Sequence, residues 1–129
     1  EWKKDFSNKT AIAPTASISI ICGGSSPGIE PIAANSYTHK TLSGSFNVRN
    51  KYLKKILSKY KKDTDDVWSS ITTNQGSVSH LDFLTAEEKD TFKTAFEIDQ
   101  RWIVELGADR TPHISQAQSI NIFYSCRHS

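Results

Sequence analysis

A turn of small and hydroxyl residues, Pro14-Thr15-Ala16-Ser17-Ile18-Ser19, is the strongest chemical signal in the sequence. The residues after Pro14 are predicted to open a helix, whose first backbone N–H groups have no partner inside the helix. These groups and the positive end of the helix dipole favour an anion such as a phosphate, and the hydroxyl groups of Thr15, Ser17 and Ser19 add donors. An ordinary threonine N-cap behind a proline turn is the alternative interpretation.

Other residues that could do chemistry carry weaker signals. The stretch Gly23-Gly24-Ser25-Ser26-Pro27-Gly28 has neither the lysine of a P-loop nor the spacing of a dinucleotide site, so it is interpreted as a turn. The histidines form no i, i+4 pair, and the two cysteines are far apart, so neither a metal site nor a disulfide framework is predicted. Cys22 stands in an apolar run and is expected to be buried.

The elements that position the turn are predicted from the hydrophobic pattern. Residues 10–13 form a short apolar run that stops at Pro14, and residues 119–124 alternate between apolar and polar, so both are predicted to be strands. Residues 29–45 are predicted to be an irregular loop. Between residues 50 and 62 the apolar positions form one stripe of a helix, with Asn50 as its N-cap.

A long helix is predicted in the second half of the chain. The sequence Thr85-Ala86-Glu87-Glu88 is a capping box, and the helix that it opens is expected to run for about six turns and end at Gly107. Asp99 interrupts the apolar stripe of this helix, so its carboxylate is expected to be buried and paired with Arg101 or Arg110. A turn is predicted at Asn74-Gln75-Gly76-Ser77.

Composition limits the kind of protein this is. The 129 residues allow one domain or a slice of a larger one. Two strands so far apart do not make a stable sheet, which needs about three or more strands, so the chain looks like part of a larger fold. No stretch approaches the about 18 apolar residues of a membrane span, and the cysteine usage fits a reducing, cytoplasmic setting.

The net charge of +2 is far from that of a strongly basic nucleic-acid-binding domain. The lysines of the helix predicted at residues 50–62 could still form a patch for nucleic acid or an acidic partner. A solvated helix face is the more ordinary interpretation of such a charge pattern, so neither nucleic acid nor a membrane is predicted as a direct partner.

Several motifs together are similar to a known family. In this order and spacing they resemble the large, catalytic subunit of class I ribonucleoside-diphosphate reductase, particularly its phage-type members, from about residue 9 to residue 124: Ala11-Ile12-Ala13-Pro14-Thr15-Ala16-Ser17, Gly28-Ile29-Glu30-Pro31, Tyr37-Thr38, Leu42-Ser43-Gly44, Phe92-Lys93-Thr94-Ala95-Phe96-Glu97-Ile98-Asp99-Gln100-Arg101 and Ser115-Gln116-Ala117-Gln118-Ser119-Ile120-Asn121. Residues 1–8 and the tail at 125–129 depart from the family pattern, and the tail resembles the end of a truncated or frameshifted chain.

The resemblance implies an α/β fold, in which residues 1–129 are a late segment of a ten-stranded α/β barrel, mostly helical with two or so strands. It also implies that ribonucleoside diphosphates are reduced to deoxyribonucleoside diphosphates for DNA synthesis, by a protein thiyl radical acting at the 2' carbon. The diphosphate of the substrate would lie against the helix N-terminus formed by Thr15, Ala16, Ser17, Ile18 and Ser19. This is the site that the residue types indicate independently.

By the same resemblance, the groups that carry out the reduction belong to other parts of the enzyme. The radical cysteine with its Asn and Glu, the radical-transfer tyrosines and the C-terminal cysteine pair have no match here, so no catalytic residue and no cofactor is assigned to this chain. The complete enzyme would use a metal-radical small subunit, ATP or dNTP effectors bound elsewhere, and thioredoxin or glutaredoxin as reductant.

Three hypotheses remain open at this stage. The chain is one piece of a reductase large subunit that assembles with the remainder, or an inactive truncated fragment of it. Alternatively it is a stand-alone nucleotide- or phosphate-binding module, although the open strand edges left by a missing barrel disfavour this. The third hypothesis is that the lysine-rich helix binds nucleic acid or an acidic partner.

Overall fold

The computed structural model describes residues 8–124. In chain order these contain helices, one hairpin and a short 3-10 turn: α1 (Ala16–Ile21), β1 (Ser36–Thr41), β2 (Gly44–Arg49), α2 (Lys51–Lys59), α3 (Asp65–Thr73), α4 (Ala86–Thr91), α5 (Arg101–Arg110) and the 3-10 turn Thr111–His113. The regular structure is therefore mainly helical with two strands, as expected. Strand β1 and the start of β2, however, lie where the sequence predicts a loop.

The hairpin corrects the prediction of an irregular segment at residues 29–45. Strands β1 and β2 pair antiparallel, with Ser36 opposite Arg49 and Thr41 opposite Gly44. Aromatic and β-branched residues favour a pleated strand, and β1 contains a tyrosine and two threonines. With Tyr37 as its one large apolar residue, however, β1 has no hydrophobic periodicity. The pairing of Tyr37 with Val48 across the hairpin supplies the apolar contact that neither strand shows alone.

The two predicted strands at residues 10–13 and 119–124 are both wrong, because neither forms a ladder in the described region. A strand forms only where its backbone hydrogen-bonds to the backbone of a neighbouring strand. Backbone N–H groups within residues 119–124 instead donate to side chains. The backbone N–H of Phe123 donates to Gln100 Oε1 at 2.9 Å, and that of Asn121 donates to Glu30 Oε1 at 3.1 Å.

The hydrophobic core is formed by α2, α3, the turns that join α3 to α4, and Phe92 directly after α4. Its buried side chains come from a continuous part of the chain, namely Leu53, Leu57, Trp68, Ile71, Val78, Leu81, Leu84 and Phe92. Helix α3 was not predicted, since its sequence, DDVWSSITT, offers only Val67, Trp68 and Ile71 as apolar positions. Trp68 is nevertheless 1% exposed, and its indole N–H donates to Asp63 Oδ1 at 2.7 Å.

The helices that begin at polar caps are confirmed. Asn50 Oδ1 accepts hydrogen bonds from the backbone N–H groups of Tyr52 at 3.0 Å and Leu53 at 3.4 Å, which starts α2. The capping box is present in full, because Thr85 Oγ1 accepts from Glu88 N at 3.2 Å and Glu88 Oε2 accepts from Thr85 N at 3.0 Å. Both caps satisfy N–H groups that a helix start leaves open.

The single long helix predicted after Thr85 is wrong, because turns at residues 92–100 separate α4 from α5. Glu97 Oε2 accepts from both the backbone N–H of Thr94 at 2.8 Å and its hydroxyl at 2.9 Å. Side chains that bond to nearby backbone in this way compete with continued helix. Gly107 does not end the helix, because α5 continues to Arg110. It lies instead at a close approach to Ile120, since a Cβ at Gly107 would come within 2.8 Å of Ile120 Cδ1.

The prediction for Asp99 is also wrong. Because the chain turns before α5, Asp99 is exposed, and its Oδ1 accepts from the backbone N–H of Arg101 at 3.0 Å. The carboxylate therefore serves the start of α5, where an acceptor is needed for the first N–H groups. Arg101 forms its ion pair with Glu105, one turn further along the helix, at 2.6 Å.

Candidate functional site

The predicted anion-binding turn forms the start of α1. The first helical hydrogen bond runs from Ser19 N to Thr15 O at 2.9 Å. The backbone N–H groups of Ala16, Ser17 and Ile18 precede that bond, so the helix itself supplies no acceptor for them. The structure thus brings the predicted residues together, with several N–H groups at one helix end.

The hydroxyl groups of the turn have different environments. Thr15 occupies the N-cap position, but its side chain makes no capping bond, and Oγ1 instead accepts from Gly28 N at 2.7 Å. This geometry does not support the interpretation of Thr15 as an ordinary N-cap. Ser19 is 8% exposed and its hydroxyl donates to Ala16 O at 2.7 Å, whereas Ser17 is exposed.

The glycine-rich stretch after α1 is a turn, as predicted. Gly23 and Gly24 have φ angles of 104° and 70°, and Gly24 N donates to Ser19 O at 3.0 Å, which ends the helix. Positive φ of this kind is the usual helix stop. The ammonium group of Lys51 donates to Gly23 O at 3.1 Å and so adds a positive charge at the C-terminal end of α1.

A second turn, at Gly28-Ile29-Glu30-Pro31, packs beside the first. Apart from the bond to Thr15, this turn is held at Glu30, whose carboxylate accepts from Asn121 Nδ2 at 2.9 and 3.0 Å and from Asn121 N at 3.1 Å. The start of α1, the turn at Gly28 and the segment at Asn121 therefore meet at this place. The residue types gave no sign of these contacts; only the family motifs contained all the residues involved.

Two cavities adjoin these turns. One, of about 480 Å³, lies between α1, the turn that follows it and the hairpin, and is walled mainly by apolar groups such as Ile20 and Val48. Arg49 also lines it, but its guanidinium is already paired with Asp65 at 2.8 Å. The other, of about 410 Å³, lies between the turn at Gly28 and one side of α5.

The carboxyl groups with perturbed pKa values in the described part of the chain stabilise a helix cap and turns. The Trp68 indole N–H lowers the pKa of Asp63, and the Thr85 backbone N–H lowers the pKa of Glu88. Burial alone would raise the pKa of Glu97, but hydrogen bonds from the Ser77 hydroxyl and from Thr94 outweigh it and lower the pKa. These shifts record hydrogen bonding to the charged form.

The described cysteine and histidine side chains form no recognisable chemical site. Cys22 is exposed, which corrects the expectation of a buried residue; the apolar residues Ile18, Ile20 and Ile21 of the short helix before it are exposed as well. Within residues 8–124, His, Cys, Asp and Glu form no group of three that could hold a metal ion. Cys126, His128 and the tail at 125–129 lie outside the described residues. Among the described helices none is long and apolar enough to cross a membrane.

The lysines of α2 lie on its exposed face, as the helix pattern predicts. The ammonium groups of Lys51 and Lys55 lie 5.2 and 6.0 Å from the ring centroid of Tyr52, and that of Lys59 lies 5.9 Å from the Tyr60 centroid. Part of this charged face therefore packs on aromatic rings of its own helix.

Comparisons with known proteins point to one family. The family described as "Ribonucleotide reductase, barrel domain" matches residues 5–129. The ribonucleoside-diphosphate reductase large subunit of Invertebrate iridescent virus 6 is 51% identical over 117 residues, which is 88% of this chain and 12% of that protein. The corresponding subunit of Invertebrate iridescent virus 3 is 49% identical over 93% of this chain and 20% of that protein.

A solved structure supports the same relationship. The class Id ribonucleotide reductase alpha subunit of Actinobacillus ureae matches with a TM-score of 0.77 and 43% identity, over 89% of this chain and 20% of that one. This chain thus spans a fifth or less of the length of these relatives. With sequence and fold in agreement, the chain belongs to the ribonucleotide reductase barrel-domain family.

Proposed function

We propose that this chain is a segment of the α/β barrel of a ribonucleoside-diphosphate reductase large subunit and that it binds the diphosphate of the substrate. The observation that carries the proposal is the start of α1, where the N–H groups of Ala16, Ser17 and Ile18 precede the first helical hydrogen bond. A diphosphate needs several donors and close backbone approach, and a helix start with small side chains supplies both. Family membership adds the substrate class to this geometry.

The contribution of the segment to the reaction is binding and orientation. Holding the diphosphate at Thr15, Ala16, Ser17, Ile18 and Ser19 would fix one end of the substrate, while the radical chemistry belongs to other parts of the enzyme. The amides need no side-chain movement to bind, so they act as a preorganised site. The segment alone is proposed to be inactive, since reduction also needs the radical cysteine and the redox cysteine pair of the complete subunit.

The first partner is the remainder of the large subunit. Large apolar side chains are exposed on α1, where Ile18 is 59% and Ile21 82% exposed, and on α5, where Trp102 is 58% and Leu106 50% exposed. Apolar surface of this kind usually marks an interface. The size of the relatives supports the same partner, because most of their length has no counterpart in this chain.

The other partners belong to the complete enzyme. They are the small radical-generating subunit with its metal, ATP or dNTP effectors bound outside this segment, and thioredoxin or glutaredoxin as reductant. The product, a deoxyribonucleoside diphosphate, is used for DNA synthesis, and we propose the cytoplasm as the place of action, that of the host cell if the gene is viral.

The proposal is tested by an acidic substitution at the helix start. In a large subunit that contains this segment, assayed with its small subunit and reductant, Ser17→Asp should raise the KM for ribonucleoside diphosphate by about tenfold or more, equivalent to about 1.4 kcal/mol. The new carboxylate repels the diphosphate, yet an acid in the first turn favours the helix itself. Loss of affinity therefore would not come from loss of α1.

Ser25→Asp is the matched control, because Ser25 is also exposed but lies after the end of α1. We expect it to change KM by less than about twofold. Equal KM values for Ser17→Asp and the unchanged subunit would contradict the proposal. Calorimetric titration of the 129-residue chain with a nucleoside diphosphate distinguishes the alternative, since tight binding by the chain alone would favour a stand-alone module.

A further inference from the structure

Thr15 has an unusual backbone conformation at the centre of the proposed diphosphate turn. Its φ of 51° and ψ of 29° lie in the left-handed region, where a β-branched residue is an outlier. Such a conformation persists only where neighbouring contacts hold it, and it is frequent at sites that bind ligands. The contacts around Thr15 therefore decide the direction in which the following N–H groups point.

The contact that holds Thr15 comes from Gly28. The backbone N–H of Gly28 donates to Thr15 Oγ1 at 2.7 Å. Gly28 itself has a φ of 55°, and a Cβ there would lie 3.2 Å from Ala13 O and 3.3 Å from Pro14 O. The turn at Gly28 thus approaches the backbone before Thr15 about as closely as a glycine allows.

Glu30 connects this turn to the other end of the described chain. Its carboxylate accepts three hydrogen bonds from Asn121, one from the backbone N–H and two from Nδ2, at 2.9 to 3.1 Å. Hydrogen bonds to a carboxylate are among the stronger and more directional ones. The segment that contains Asn121 is in turn fixed to the start of α5, because Phe123 N donates to Gln100 Oε1 at 2.9 Å.

We propose that Glu30 and Asn121 are positioning residues for substrate binding. Their pair fixes the turn at Gly28 against the segment before Phe123, and Gly28 fixes Thr15 and the N–H groups after it. This inference rests on the proposed diphosphate site, but it assigns the affinity of that site in part to two side chains that act through Gly28. Breaking the pair should weaken substrate binding without changing the chemical step.

The test uses Asn121→Asp, which replaces the Nδ2 donor by an acceptor and sets a second carboxylate against Glu30. In a large subunit that contains this segment, assayed with its small subunit and reductant, we expect KM for ribonucleoside diphosphate to rise about tenfold and kcat to stay within about twofold. Adding Glu30→Gln restores a donor to the pair, because the new amide at position 30 can donate to the carboxylate introduced at position 121. The double variant should recover most of the lost affinity, which a general loss of stability would not do.

Thr85→Ala is the matched control, because it removes the capping box of α4 and lowers stability without touching the pair. It should leave KM unchanged. An unchanged KM in Asn121→Asp, or a raised KM that Glu30→Gln does not reverse, overturns the positioning role. If Ser17→Asp raises KM while Asn121→Asp does not, only this inference fails; if neither does, the proposed diphosphate site fails with it.

Discussion

Gly76 is the position where a single methyl group should do the most damage to the fold. A Cβ at this residue would lie 2.3 Å from Ala34 Cβ, 2.6 Å from Ala34 Cα and 2.9 Å from Asn35 N. Gly76 also has a φ of 80°, and its carbonyl accepts from the backbone N–H of Asn35 at 3.1 Å and from Asn35 Nδ2 at 2.9 Å. A side chain here must therefore push apart two segments that hydrogen bonds hold together.

The cost of Gly76→Ala follows from these contacts. The left-handed backbone costs roughly 1–2 kcal/mol for alanine, and overpacking at a tight contact costs about 1–3 kcal/mol. Together these give about 2–5 kcal/mol, a large part of the about 5–15 kcal/mol that stabilises an ordinary domain. We expect urea unfolding of the 129-residue chain, followed by far-UV circular dichroism, to show this loss in the free energy of unfolding.

Gly24→Ala is the control for backbone conformation, because Gly24 also has a positive φ, of 70°, but a Cβ there would meet no atom within 4 Å. It should cost no more than about 1–2 kcal/mol. Ala34→Gly removes the atom that the new Cβ would strike first, so the double variant should be more stable than the separate effects predict. Equal losses in Gly76→Ala and Gly24→Ala, or no coupling with Ala34→Gly, would refute the reasoning.

Three other predictions follow from the caps and the perturbed carboxyl groups. Asn50→Ala should lower the free energy of unfolding by about 1–2 kcal/mol in urea unfolding, because it removes the N-cap of α2. The pKa values of Asp63, Glu88 and Glu97 are all lowered by folding, so these groups stabilise the fold above their unfolded pKa values of about 4, and this stabilisation is lost as pH falls from there through the lowered values. Thermal unfolding at several pH values checks this, and a melting temperature that rises with acid would contradict it. Trp68→Phe removes the indole donor and should raise the pKa of Asp63, measured by NMR titration; an unchanged pKa would contradict the assigned cause.

The helix starts could be predicted from sequence because their determinants are local. Asn50 and Thr85 each bond to N–H groups two or three residues ahead, so a short stretch of sequence contains the whole interaction. The interruption between α4 and α5 could not be predicted in the same way. It depends on Thr94, Glu97 and Gln100, whose types are compatible with a helix and whose side chains bond to the backbone only once the chain turns.

The candidate site shows the same division. Small residues after Pro14 predict a helix start and its N–H groups, and this part of the site is where the sequence places it. The left-handed Thr15, its bond to Gly28 and the pair of Glu30 with Asn121 could not be predicted from pattern, because the last two residues lie 91 positions apart. Contacts of that range leave no periodic signal in the sequence, and here only the family resemblance grouped their motifs.

The two halves of the chain are stabilised by different forces, and under the proposed function this links substrate binding to assembly. The buried cluster lies within residues 53–92, whereas α1 and α5 expose Ile21 and Trp102. The proposed diphosphate turn therefore lies in the part that is held mainly by exposed hydrogen bonds such as those of Glu30. Exposed bonds compete with water, so they hold the turn less firmly than burial holds the core. Covering the apolar faces with the remainder of the subunit would exclude that water, so assembly should order the turn and increase its affinity for the substrate.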